Sequence, residues 1–323
     1  MHHYSVHGDF DLQNYFSANV YFVQCLGMFG KLGVNLFVLI SGYFLCTSKF
    51  NWKRLLRIEL QVLFYSATIG ILFFIFLPQK IGVKSLIKCF FPLLKSQYWF
   101  YTTYFVLVCL SPYINIFIKA AKKDDLQKLI LCLSFLWVIL PFVPKFDALE
   151  YSNLVWFIFL YIIASYIRLY GEQINIKNSI VGIFALISFL LVILSVLCFD
   201  LLGLWNKMFF EKYNYFKPQN SLLIFACSVF TFLFFSKLKM KQNKFINLIS
   251  SATFGVYLIH DNNFVRPFLW VDLFKNATYL DTSSIYLHAI INIVLVYVVC
   301  TVIDLLRQLA IKCIKKIMHI SKK

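Results

Sequence analysis

The chain is short of charge, above all of negative charge. Its 323 residues carry 14 Asp and Glu against 31 Lys and Arg, and only 14% are charged at all. With 61% hydrophobic residues and a mean hydropathy of +0.76, that is too little polar surface for a water-soluble protein of this length. Paired cysteines are also missing. None of the nine stands in a C-x-x-C pair, and Cys25, Cys46, Cys109, Cys132, Cys198, Cys227 and Cys300 sit inside apolar runs. The thiols read as small packing residues, neither a disulfide framework nor a metal site. There is no glycine-rich phosphate loop, no Ser-His-Asp order and no zinc-ligand motif. No internal repeat and no polar linker marks a second domain. No hydrophobic segment precedes Met1-His2-His3-Tyr4, and the two histidines are too few for a purification tag.

What the chain has instead is apolar runs of membrane length. They fall near 23–46, 58–77, 98–118, 127–143, 153–170, 179–202, 219–236, 245–260 and 285–306. About 20 apolar residues cross the hydrocarbon as a helix. The expected fold is therefore all-α: one polytopic transmembrane bundle of about nine spans, forming a single domain over 1–323. In a soluble protein the net charge of +17 would suggest nucleic acid. In a membrane protein it reads as Lys and Arg gathered in cytoplasmic loops facing anionic lipid, with no nucleic-acid partner.

Charge alternation sets a topology. A cytoplasmic loop at 47–57 collects most basic residues inside, together with the C-terminus, and leaves residues 1–22 outside. The segment 78–97, with Lys80, Lys84, Lys88 and Lys95, then fits an interfacial helix with Ile81, Leu86, Ile87, Phe90 and Phe91 as its apolar face. With 1–22 outside, an orthodox bundle needs one more helix before Met1, so an N-terminal truncation is expected.

Few side chains are suited to chemistry. The span before residue 46 empties into Lys49, Lys53, Arg54 and Arg57, and the two arginines share a helix face. They suit a phosphorylated ligand or simply fix topology. His3 and His7 would also share a face. Histidine moves protons near neutral pH; the alternatives are metal binding by an exposed terminus, or no role. Gly27, Gly30 and Gly33 read as a close helix contact, or else as room for a thin ligand. The Asp261 carboxylate could tune the adjacent His260 imidazole, but neighbours on a helix do not face each other; the other reading is interfacial anchoring, with Arg266 and Trp270 as a headgroup-level belt. Asp304 and Arg307 read as a local ion pair, and Glu59 as a neutraliser of Arg57.

Five stretches together carry a resemblance: HHYSVHG at 2–8, GVNLFVLISGYFL at 33–45, KRLLRI at 53–58, YWFYTTYFVLVCLSPYIN at 98–115 and SATFGVYLIHD at 251–261. The chain resembles integral-membrane acyltransferase family 3, in particular bacterial polysaccharide and cell-surface O-acetyltransferases. That resemblance implies ten core helices in the bacterial cytoplasmic membrane. It also implies transfer of an acyl group, usually acetyl, from acetyl-CoA to a sugar hydroxyl, without a permanently bound cofactor or metal. Arg54 and Arg57 match the family's R-x-x-R pair, with Lys53 beside them, as the site for the acyl-CoA co-substrate. His3, or its neighbour His2, matches the catalytic histidine. The family's first-helix arginine, ten residues earlier, has no counterpart here, which again implies that most of the first helix is missing. The implied partners are acyl-CoA, a polysaccharide or lipid-linked sugar acceptor, and the bilayer. The competing readings are a non-enzymatic carrier for lipid-linked sugars and an inactive fragment. One difficulty is geometric: about 30 Å of hydrocarbon separates the expected depths of His3 and Arg57. Either the donor stretches through a cavity or His3 sits deeper than charge counting places it.

Overall fold

The computed structural model describes residues 1–143, 151–173, 175–239 and 241–320. Among them there is no strand. The helices are α1 (His2–Val6), α2 (Ala18–Met28), α3 (Gly30–Leu45), α4 (Trp52–Phe76), α5 (Val83–Cys89), α6 (Trp99–Ala120), α7 (Lys123–Ser134), α8 (Asn153–Tyr170), α9 (Asn178–Trp205), α10 (Leu222–Ser236), α11 (Lys244–His260), α12 (Val265–Pro267) and α13 (Ile285–Ile320). Each of the nine expected spans is helical. Among the described residues seven stretches are long and apolar enough to cross a membrane, the first of them Ala18–Leu45, formed by α2 and α3 together. The other two, α10 and α11, fall short of that length, with 15 and 17 residues.

Local chemistry sets the helix ends. Ser17, Asn51 and Asn243 each accept a backbone N–H of the first turn that follows, which satisfies donors the helix leaves unpaired. Pro112 lies inside α6 and cannot donate to the carbonyl four residues back, that of Val108. The Ser111 hydroxyl donates to it instead, at 2.7 Å.

Packing around α3 centres the bundle. Gly42 brings the helix against the backbone of Tyr161 in α8, where a methyl group would stand only 3.0 Å away. Buried Asn35 accepts from the Trp156 indole and donates to Ser228, tying α3 to α8 and α10. The pair α11 and α13 runs antiparallel, with Gly255 against Asp304 and Ser251 against Gln308. The Asp304–Arg307 ion pair is present at 2.9 Å, but it is more than local. Asp304 is fully buried and also accepts from Tyr65 and Gln308, which joins α4 to α13. The interfacial reading of 78–97 holds in part: α5 is there, but its apolar residues divide. Ile81 is buried and Leu86 is half-buried, while Ile87, Phe90 and Phe91 are exposed.

Buried side chains gather in three clusters: one around α3, α6, α8 and α10, one around α1, α2, α9 and α13, and one around α4, α6 and α11. A cavity opens where the three meet.

Candidate active site

That cavity has a volume of about 560 Å³, and its wall includes His2, His3, His7, His260, Asp261 and Arg266. It exists because α1 can lie against the middle of the first span. Gly27 and Gly30 make the room: a methyl group on Gly27 would come within 2.7 Å of the Ser5 hydroxyl, and one on Gly30 would collide with the His2 ring. His2 donates Nδ1–H to the Gly27 carbonyl at 2.7 Å, which pins the short helix there. Gly33 meets nothing within 4 Å and borders the cavity. So the glycine series serves packing at two positions and open space at the third.

The histidines therefore lie beside the midpoint of Ala18–Leu45, not at its outer end as charge alternation suggested. His3 is the centre of the group. Its ring centroid is 5.1 Å from that of His7 and 4.8 Å from that of His260. Its Nε2 lies 3.6 Å from Asp261 Oδ1, and the same oxygen is 3.4 Å from the Arg266 guanidinium. His3 Nδ1 is buried and has no hydrogen-bond partner. Burial holds the His3 imidazole well below the usual histidine range, and His260, His2, His7 and Arg266 push the same way. Burial lowers His2 and His7 to about 4 and raises Asp261 to about 6, the last against the pull of Arg266. Near neutral pH the arrangement is a neutral imidazole with one free nitrogen, backed by a carboxylate that is itself held by a guanidinium.

His3, His7 and Asp261 each offer an atom within 4.8 Å of the others, a spacing a metal ion can bridge. The Lys31, Lys217 and Arg266 side chains on the same wall oppose a cation there.

The arginines lie elsewhere. A second cavity, of about 430 Å³, is bordered by Lys49, Arg54, Ser111, Asn115 and Lys119. Arg54 and Arg57 are both exposed, but only Arg54 lines this space; Arg57 and Lys53 do not. Glu59 does not pair with Arg57. It accepts from the Tyr101 hydroxyl of α6. From Gly30 to Cys46 the first span advances about 24 Å at 1.5 Å per residue, which is roughly the distance between the two sites along its axis. The cavities do not merge. Phe37 and Phe100 border the first and Tyr104 the second, and the three rings touch, with Phe37–Tyr104 centroids at 5.2 Å and a Phe100–Tyr104 stack at 6.1 Å.

A family model described as an acyltransferase domain matches residues 1–305. The chain belongs to acyltransferase family 3. The family transfers acyl groups other than aminoacyl groups, which favours the enzyme over the carrier. No curated protein and no solved structure matches the chain.

Within this membrane acyltransferase, His2 and His3 line the first cavity and Arg54 the second, in surroundings the sequence did not predict. His260 and Asp261, adjacent in sequence, both border the cavity because α11 ends there and the chain turns at Asp261. Arg266 binds Asp261, and Trp270 is only 2% exposed, edge-on to Tyr4, so neither forms a headgroup belt. Lys31 and Lys217 were missed altogether. The one available signal for Lys31 was a charge inside an apolar span. Lys217 carried none.

Proposed function

We propose that this acyltransferase moves an acetyl group from acetyl-CoA to a hydroxyl of a cell-surface or exported polysaccharide, or of its lipid-linked precursor. The observation that carries the reading is His3, backed by Asp261 inside a cavity, with a separate basic cavity one half-span away.

The donor's phosphates are held at Arg54, with Lys49 and Lys119 on the same wall and Lys53 and Arg57 on the exposed approach. Guanidinium groups suit phosphate oxygens. The acyl-pantetheine arm then runs along α3 and α6 toward His3. Phe37 and Tyr104 stand in that route and must swing aside. Once the side chains that cover His3 Nδ1 have moved aside, the acceptor hydroxyl gives its proton to that free nitrogen, and its oxygen attacks the thioester carbonyl carbon. The tetrahedral intermediate collapses with cleavage of the C–S bond, and the departing thiolate takes the proton back from His3. Asp261 orients the ring and stabilises the transient imidazolium, and Arg266 keeps that carboxylate ionised. The Arg54 end faces the cytoplasm in this reading. The C-terminus of α13 is assigned to that same side by the gathering of Lys and Arg there.

The test uses membranes containing the full chain, acetyl-labelled acetyl-CoA and the host's own glycan. Label is expected in the glycan and removable by mild base, as an ester is. Label that stays entirely in free acetate, or in lipid that carries no sugar, would reject the sugar acceptor. Transfer from longer acyl-CoA in place of acetyl-CoA would reject the acetyl donor.

A further inference from the structure

Lys31 and Lys217 form the least explained part of the His3 cavity. Lys31 stands at the start of α3, and its ammonium lies 4.1 Å above the Trp99 ring. Lys217 comes from the segment between α9 and α10, far away in sequence. Both are half-buried, and both border the same cavity as His3 and Arg266. Neither has a carboxylate within ion-pair distance among the described residues. The charged side chains on the wall are thus Lys31, Lys217 and Arg266 against Asp261 alone, and Arg266 is already engaged with Asp261. Holding two ammonium groups near one another in a part-buried space is unfavourable unless an anion joins them. Consistent with this, burial and the nearby Lys31 both push the Lys217 amine down, although the field of the Asp261 carboxylate also reaches Lys31.

We propose that Lys31 and Lys217 form an oxyanion-binding subsite beside His3, which holds a carboxylate or phosphate carried by the acceptor sugar. The enzyme's acceptor is thereby an acidic sugar or a sugar phosphate, not a neutral one. This rests on His3 being the base that deprotonates the acceptor. Donor phosphates are the competing source of the same chemistry, and they belong about 24 Å away at Arg54 by the helix rise. The anionic group fixes the acceptor while its hydroxyl reaches the imidazole. The subsite also explains why a cavity in apolar surroundings keeps two flexible cationic side chains.

The experiment is protection of His3 and His7 from diethyl pyrocarbonate in the full chain, read residue by residue by mass spectrometry. The probes are methyl glucuronoside, glucose 6-phosphate, the neutral methyl glucoside, and coenzyme A. The anionic sugars are expected to protect at about one-tenth the concentration the neutral sugar needs, as one charge-assisted contact implies. Protection by the glucuronoside alone identifies a carboxylate, and protection by glucose 6-phosphate identifies a phosphate. Lys31→Gln with Lys217→Gln should erase the difference, and Lys217→Arg should retain it. Lys217→Gln alone, which lies outside the helices, covers the case in which the double variant fails to fold. Equal protection by all three sugars overturns the proposal. So does protection by coenzyme A alone, or protection that survives loss of both lysines. Acyl transfer by His3→Ala, measured in parallel, separates the two readings: retained transfer removes His3 as base without touching the protection result.

Discussion

The two basic regions of this membrane acyltransferase differ in how they are made. The Arg54 cavity is built largely from one short stretch, residues 45–58, against α6 from Tyr104 to Lys119. The His3 cavity draws on α1, α3, α6, α11, α13 and the segments around Lys217 and Arg266. In the first, the arginines stay in contact with water, where a charge contact is screened and weak. In the second, burial shifts the histidines and Asp261 away from their ordinary ranges. A site for capturing a polyanion can remain wet and local. A site for moving a proton needs low dielectric and a fixed carboxylate, and only several elements packed together supply both.

Mutations should separate the two regions. The largest effect is expected from His3→Ala: acyl transfer to glycan falls about 10²–10⁴-fold, the range of general-base catalysis. Retained transfer at unchanged protein abundance would remove the buried region from the chemistry. Asp261→Asn comes next, with a loss of about 10–100-fold, the range of one charge-assisted contact. Its pH profile is the sharper readout. His3 stays neutral across the neutral range, so acid inhibition follows Asp261. As pH falls through about 6 the carboxylate takes up a proton, no longer stabilises the imidazolium, and transfer declines. The Asn variant should lose that limb of the profile. If it keeps the same decline, another group sets it.

At the exposed region the effect belongs in donor KM. Arg54→Ala should raise it about tenfold with little change in kcat. Arg57→Ala should raise it no more than about fivefold, as befits an exposed contact. Equal effects would show that lining the cavity does not distinguish the two arginines. The smallest contrast lies in the glycines. Gly30→Ala presses on the His2 ring and should lower stability by about 1–3 kcal/mol, read by thermal unfolding in detergent. Gly33→Ala borders open space and should change stability by no more than about 0.5 kcal/mol. A reversed order would mean that α1 does not rest on Gly30.

Much of this was legible in the chain. The nine apolar runs all became helices, because hydrocarbon length and backbone satisfaction leave a long apolar segment little choice. His3 and Arg54 stood out because their neighbours in sequence carry the pattern. Asp261 was discounted on sound local grounds, since adjacent residues on a helix diverge. But α11 ends at His260, and the turn at Asp261 aims its carboxylate at His3 across the cavity. Lys217 could not be placed at all, and Trp270 was put in a headgroup belt, because nothing near them in sequence tells which helices they will meet.

The sequence by itself determined that this chain is a helical membrane protein of the acyltransferase family, since composition and short stretches of order are local properties. Only the tertiary structure decided that the histidines sit at mid-span, that Asp261 and Arg266 back His3, and that Phe37, Phe100 and Tyr104 stand between them and Arg54. Those facts depend on which helix faces touch, and in a bundle apolar all round the hydrophobic pattern leaves the facing residues unspecified. The choice falls to small residues such as Gly30 and Gly42 and to buried polar contacts such as that of Asn35 with Trp156.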